Sequence, residues 1–125
     1  MIKAELKSLH SPDADLVSYR PERERCFSIF VEAMIGPEGE DSSDSFGIEV
    51  CTPAWLESEC LSWGGVFGRH LLIVPSYDYD EIFKLIRRRC EECAGEDWME
   101  TASCLSRIGR WEFEDYDSGR PPARR

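Results

Sequence analysis

Residues 26–35 read CFSIFVEAMI, and this stretch decides the fold class of the chain. Every second side chain in it is apolar and shares one face, an alternation that is typical of a strand with one buried side. Residues 36–40 read GPEGE, which is typical of a turn, and the alternation resumes beyond it. The pattern predicts that residues 26–35 and 46–51 pair as antiparallel neighbours. Their predicted core side chains are Phe27, Ile29, Val31, Phe46, Ile48 and Val50.

The N-terminal residues 2–7 alternate in the same way, with Ile2, Ala4 and Leu6 on one face. They predict a further strand with one buried side. The polar stretch that follows, through residue 24, is predicted to be a long loop.

Three helices are predicted after the hairpin. Each begins at a residue whose side-chain oxygen can cap a helix and ends at a glycine, which gives the ranges 52–64, 78–95 and 97–109. Each also has apolar side chains at helical spacing. These are Leu56, Cys60 and Trp63 in the first helix, Ile82, Leu85, Ile86, Cys90 and Cys93 in the second, and Trp98, Ala102 and Leu105 in the third.

Two more strands complete the predicted sheet. Residues 70–74 read HLLIV, are apolar on both faces and are predicted to form a central strand. Trp111 and Phe113 alternate with acids and predict a short closing strand. The fold class is therefore α+β: a mostly antiparallel sheet with about three helices packed on one side, in one domain at residues 1–117. Residues 118–125 are predicted to be a basic, flexible tail.

Composition narrows the class of protein. The 125 residues are 42% hydrophobic and 11% aromatic, which is typical of one globular domain. The N-terminus lacks the uninterrupted apolar segment of a secretory signal, so we expect a cytoplasmic protein whose six cysteines are reduced. The net charge of −10 argues against binding to nucleic acid or anionic membranes and favours a basic partner. Acidity that only maintains solubility is the alternative.

The pair Cys90 and Cys93 is the sharpest candidate for chemistry, because two thiols at this spacing can bind one zinc ion. The remaining cysteines have no matching paired spacing, and positions three apart also share one face of a helix. We therefore expect both thiols to be reduced, buried and free of metal. Histidine occurs only at His10 and His70, no nucleotide or nucleophile motif is present, and neither a catalytic residue nor a cofactor is predicted.

Acidic residues lie beside aromatic ones in two segments, as expected of a recognition surface for a basic partner. The first candidate binding segment is Glu112, Glu114, Asp115, Tyr116 and Asp117. The second is Asp78, Tyr79 and Asp80, where Tyr77 and Tyr79 are expected to be exposed. The alternative is that these carboxylates are solvated or cap helices.

Three segments, in the order of the chain, resemble immunity protein family 8 of bacterial polymorphic toxin systems. They are IKAELKSLHS at residues 2–11, VCTPAWL at residues 50–56, and LSR at residues 105–107 running on to WEFEDY at residues 111–116. The resemblance implies a cytosolic antitoxin, encoded beside a toxin, that protects its producer by tight binding. The acidity fits a basic, nuclease-like toxin domain.

The predicted function is therefore that of an immunity protein that binds a toxin and performs no catalysis. Two alternatives stay open. One is a small zinc- or thiol-dependent enzyme that uses Cys90 and Cys93, and the other is a structural subunit of a larger assembly.

Overall fold

The predicted hairpin forms the centre of a six-stranded sheet in the computed structural model, which describes residues 1–114. Along the chain, the elements are β1 (Ile2–His10), β2 (Ser28–Pro37), β3 (Asp44–Cys51), α1 (Pro53–Trp63), β4 (Leu71–Ile73), α2 (Tyr79–Glu91), β5 (Ala94–Gly95), α3 (Trp98–Leu105) and β6 (Arg110–Trp111). The hairpin register runs from Ser28 opposite Cys51 to Ile35 opposite Asp44, and β1 adds to β2 in the antiparallel direction. The α+β class and the mostly antiparallel sheet are confirmed.

The short strands extend this sheet into a half-barrel. Strand order is β4-β3-β2-β1-β5, and β6 pairs with β3 as well. Both β4 and β6 pair with the outer edge of β3: β4 runs parallel to its C-terminal residues, and β6 runs antiparallel to its N-terminal ones. The outer edge of β3 is thus covered by two segments that are distant in sequence.

The core lies between the inner sheet face and the helices α2 and α3. The seven alternating apolar residues of β2 and β3 are buried, and so is Phe27 just before β2, so that all six predicted core residues lie in the core. Helix α2 adds Ile82, Ile86 and Cys90, and α3 adds Thr101, Ala102 and Leu105. Helix α1 buries none of its residues: Leu56 is half-buried, and Cys60 and Trp63 of its predicted apolar face are exposed.

The predicted N-caps of all three helices are confirmed. Thr52 Oγ1 accepts a hydrogen bond from Trp55 N at 3.4 Å, and the carboxylates of Asp78 and Asp97 accept from the amides three residues on, at 3.2 and 2.9 Å. Helix α1 ends as predicted, at Gly64 with a left-handed φ of 81°.

The predicted ends of α2 and α3 are wrong, because Gly95 and Gly109 do not terminate helices. A side chain on Gly95 would place its Cβ 2.9 Å from the backbone nitrogen of Thr101, and one on Gly109 would lie 3.0 Å from Phe46 Cβ. Each glycine permits a close approach between elements. The helices end earlier, at Glu91 and Leu105.

The prediction that residues 70–74 form a central strand is also wrong, because β4 lies at the edge of the sheet. It follows the crossover through α1 and stays beside β3 for three residues only. Leu71 and Leu72 are half-buried in a cavity that Leu85 and Ile108 also line, whereas Ile73 is exposed. Leu71 and Leu72 are therefore apolar because α2 packs over them, and not because a strand lies on each side of β4. None of the helices among residues 1–114 is long and apolar enough to cross a membrane.

Candidate functional site

The first predicted binding segment begins directly after β6, and its described carboxylates bond within the chain. Glu112 exchanges two hydrogen bonds with Ser45: Ser45 N donates to Glu112 Oε1 at 2.7 Å, and Glu112 N donates to Ser45 O at 3.0 Å. Glu114 Oε1 accepts from Arg69 Nη2 at 2.8 Å, and the Glu114 side chain is only 16% exposed. Asp115, Tyr116, Asp117 and the predicted tail lie outside the described residues.

The second predicted segment surrounds the start of α2. Asp78 and Asp80 are exposed, and Asp78 serves as the N-cap. The expectation that Tyr77 and Tyr79 are exposed is wrong, since both are half-buried. Tyr77 donates its hydroxyl to Leu16 O and packs edge-on against Phe27, and burial raises the pKa of Tyr77 to about 12. Tyr77 is therefore a structural residue.

The surface around this second segment carries charges of both signs. A cleft of about 310 Å³ is lined by Val17, Arg20 and residues 77–80. A neighbouring cleft is shared by Tyr79 and Asp80 with two cations of α2, Lys84 and Arg87. This mixture is less complementary to a purely basic partner than a uniformly acidic surface would be.

The fold does not bring the two segments together. Glu112 lies opposite Ser45 near the start of β3, whereas Val74, which leads into α2, bonds to Cys51 O at the end of the same strand. These six residues of strand correspond to a distance of about 20 Å. One partner contacting both segments would therefore have to cover the whole outer edge of β3.

Cys90 and Cys93 do not lie on one face of the same helix, as their spacing in the sequence suggested. Cys90 is buried as predicted, and burial, with a smaller contribution from Glu91, raises the pKa of its thiol to about 12. Cys93 is buried too, but the expectation that it is reduced is wrong, since it forms a disulfide with Cys104 of α3. The reason is that α2 ends at Glu91, so Cys93 lies beyond the helix with its Cα 5.7 Å from that of Cys104, a distance that a disulfide spans.

Other ligand types are dispersed as well. Within residues 1–114, no three histidine, cysteine or acidic side chains are grouped so as to hold a metal ion. His10 lies 3.9 Å from Glu32 Oε1, and His70 donates from Nε2 to Ser106 O at 2.7 Å.

A surface that the sequence interpretation missed lies between α1 and β4. Every residue from 60 to 69 is exposed, and we call these ten residues the exposed segment. Four of them are large and apolar: Leu61 is 82% exposed, Trp63 76%, Phe67 98%, and Val66 also belongs to this class. Single exposed apolar residues are ordinary in proteins, but such a group in one short segment is typical of an interaction site.

A signal for this surface was present in the sequence. Leu61 and Trp63 are two residues apart and so point about 200° apart around the helix axis. A helix that packs on one side cannot bury both. Gly64, Gly65 and Gly68 are typical of a connection between elements, and the structure places one there. Val66 and Phe67, between those glycines, have no role in such a connection, and this is the signal for a binding surface.

The base of the exposed segment is held by polar contacts, whereas its tip faces open space. Arg69 contacts Glu114, and His70 contacts Ser106 at the end of α3. At the tip, a Cβ built on Gly64, Gly65 or Gly68 would meet no atom within 4 Å. Because Glu114 belongs to the first predicted binding segment, that segment and the exposed segment adjoin.

Comparison with protein families identifies the class as that of immunity proteins. A family model described as Immunity protein 8 matches residues 4–116, nearly the whole chain. The chain therefore belongs to the Immunity protein 8 family, and the resemblance found in its sequence is confirmed. A search of curated proteins and a search of solved structures each returned no match.

Proposed function

We propose that this chain binds one cognate toxin domain in the bacterial cytoplasm and neutralises it stoichiometrically, without catalysis. The match of the Immunity protein 8 family to residues 4–116 is the observation that carries the proposal. The partner we propose is a basic toxin domain that acts on nucleic acid. A basic surface that attracts phosphate groups also attracts a chain of net charge −10.

The geometry of the described residues supports binding better than chemistry. Cys93 is bonded to Cys104, and the Cys90 thiol is buried and resists ionisation, so a thiol-dependent activity at this pair gains no support. Among the described carboxylates of the two acidic segments, Asp78 caps α2, Glu112 bonds to Ser45 and Glu114 pairs with Arg69. Surface carboxylates of this kind steer a basic partner towards the chain.

Titration of the toxin with the chain tests this proposal. The toxin domain encoded by the neighbouring gene is co-expressed with the chain, separated from it in denaturant and refolded. Its activity is then measured as increasing amounts of the chain are added. We expect inhibition to be complete at one chain per toxin domain and to be independent of incubation time, as for a binder. A small amount of the chain that inactivates excess toxin progressively would indicate catalysis and would contradict the proposal.

A further inference from the structure

The exposed segment offers apolar side chains to solvent without a role in the core of this chain. Phe67 is almost fully exposed, and Trp63 and Leu61 keep most of their surface in water. Arg69 is the only charged residue among residues 60–69, and it is paired with Glu114. The tip is therefore both apolar and close to electrically neutral.

Two carboxylates lie in α1 one helical turn before Leu61 and Trp63. Glu57 precedes Leu61 and Glu59 precedes Trp63 by four residues, so each carboxylate shares a helix face with an apolar neighbour. Helix α1 contains no lysine or arginine. The surface thus combines apolar anchors with negative charge behind them, which is complementary to an apolar pocket bordered by basic side chains.

We propose that the exposed segment is the anchor by which this chain holds its toxin, with Trp63 and Phe67 inserted into an apolar pocket of the toxin domain that lysine or arginine side chains border. This inference rests on the proposed function and assigns a surface to it. Aromatic residues contribute a large share of the free energy in protein interfaces, because they bury much area with few rotatable bonds.

The construction of the segment suits this role. Its base is held by the contacts of Arg69 and His70, so the position of the tip relative to the sheet is restricted before binding. Gly64 and Gly65 have positive φ angles and let the tip adjust to the partner. Holding the base in place reduces the conformational entropy that is lost on association.

Two other possible partners of the exposed segment, a second copy of this chain and an anionic membrane, are less compatible with its charges. A symmetric dimer through α1 would bring Glu57 and Glu59 towards the same residues of a second copy, and each copy carries a net charge of −10. An anionic bilayer would repel the chain for the same reason. The toxin domain is the occupant whose expected charge is complementary.

The test measures the affinity of the purified toxin domain for the wild-type chain and for the double variant Trp63→Ser/Phe67→Ser. We expect the double variant to bind at least about 30-fold more weakly, which is the effect of losing one interface hot spot. Met99→Ser is the matched control, because Met99 is 60% exposed and lies on α3. Its affinity should stay within about twofold of wild type. Urea unfolding of both variants should match wild type, since none of these side chains is buried.

The outcomes separate the two proposals. A wild-type chain that fails to bind the toxin domain contradicts the proposed function. Wild-type binding that persists unchanged in the double variant overturns the anchor alone. Sedimentation of the wild-type chain should show a monomer, and flotation with phosphatidylglycerol vesicles should leave it unbound. A dimer, or vesicle binding, that the double variant abolishes would assign the segment to that other occupant and overturn the inference.

Discussion

A single carboxylate, that of Asp44, connects three elements of the fold. Its Oδ2 accepts hydrogen bonds from the indole nitrogens of Trp98 at 2.7 Å and Trp111 at 2.9 Å. Trp98 begins α3 and Trp111 ends β6, while Asp44 begins β3. Trp111 also stacks on Phe46, with ring centroids 6.3 Å apart. Asp44 therefore positions the strand that leads into the first predicted binding segment.

We expect Asp44→Ala to lower the free energy of unfolding by about 3 kcal/mol, because two indole N–H groups lose a charged acceptor. Asp44→Asn keeps one oxygen at the same place and should lose less stability than Asp44→Ala. Urea unfolding followed by circular dichroism measures both variants. If Asp44→Ala unfolds at the same urea concentration as wild type, the indole groups bond to water equally well and this explanation of the contact is wrong.

The thiols should differ widely in reactivity. Cys60 is exposed, whereas burial raises the pKa of the Cys90 thiol to about 12, so that very little of the reactive Cys90 thiolate is present at pH 8. We expect iodoacetamide at pH 8 to modify Cys60 quickly and Cys90 only after unfolding, as read by mass spectrometry of peptides. In a Cys60→Ser control, fast modification of the peptide that contains residue 60 should disappear. Modification of Cys90 in the folded chain at the rate of Cys60 would contradict the assigned burial.

Replacement of the buried thiol should have a small and pH-dependent effect on stability. Cys90→Ala removes one buried sulfur, which we expect to cost about 1 kcal/mol at pH 7 and to leave toxin binding intact. Above pH 9.0, the ordinary pKa of this thiol, the unfolded wild-type chain releases its proton while the folded chain retains it, so wild-type stability falls as pH rises. The difference between variant and wild type should therefore shrink between pH 7 and pH 10, as measured by urea unfolding. A constant difference would contradict the raised pKa.

At the scale of elements, one buried hydroxyl joins α1 to the sheet. Thr52 Oγ1 accepts from Trp55 N at the start of α1 and from Phe27 N, just before β2, at 3.2 Å. Thr52 is fully buried although α1 buries none of its own residues. The attachment of α1, and with it the position of the exposed segment, therefore depends on this residue more than on helix packing.

We expect Thr52→Ala to lower the free energy of unfolding by about 2 kcal/mol, since a helix cap and a buried backbone bond are lost together. Thr52→Ser retains the hydroxyl and should lose less than half as much. Hydrogen exchange read by mass spectrometry should also show faster exchange in α1 than in α2 in the alanine variant. Equal acceleration in both helices would mean that α1 does not open by itself.

Local patterns in the sequence were sufficient to predict the hairpin and the first residue of each helix. Alternation in β2 and β3 and the capping oxygens of Thr52, Asp78 and Asp97 act within a few residues, so the sequence records them directly. Gly95 and Gly109 look like helix-ending glycines in the sequence, but their small size serves contacts with distant elements. The same holds for Cys93, whose partner Cys104 is selected by how α3 packs. Such long-range contacts leave no periodic signal.

At the scale of the whole molecule, the candidate surface was only partly accessible from sequence. Composition indicated a basic partner, and the position of Glu114 beside the exposed segment is compatible with that expectation. Exposure of Trp63 and Phe67 was not predicted, because an apolar residue is normally expected inside and only the assembled fold shows which ones remain outside. Charge thus suggested the kind of partner, and the fold suggested where it binds.

Association with the toxin should respond to salt and to the position of charge. Raising salt from 0.1 to 1 M shortens the Debye length from about 10 to about 3 Å. The association rate constant should then fall at least about tenfold, while the dissociation rate constant changes by less than about threefold, because steering acts on the encounter. Both constants are measured by surface plasmon resonance.

Charge reversal at one residue of each predicted segment then locates the steering surface. Reversing Glu114 would also break its contact with Arg69, and Asp78 caps α2, so Asp115→Lys and Asp80→Lys are the matched pair. Each changes the net charge by the same amount. Since the first predicted segment adjoins the exposed segment, Asp115→Lys should slow association at 0.1 M salt more than Asp80→Lys does, and the two rates should converge at 1 M salt. A larger effect of Asp80→Lys would place the encounter at the start of α2, and rates equal to wild type for both variants would show that neither segment steers the toxin.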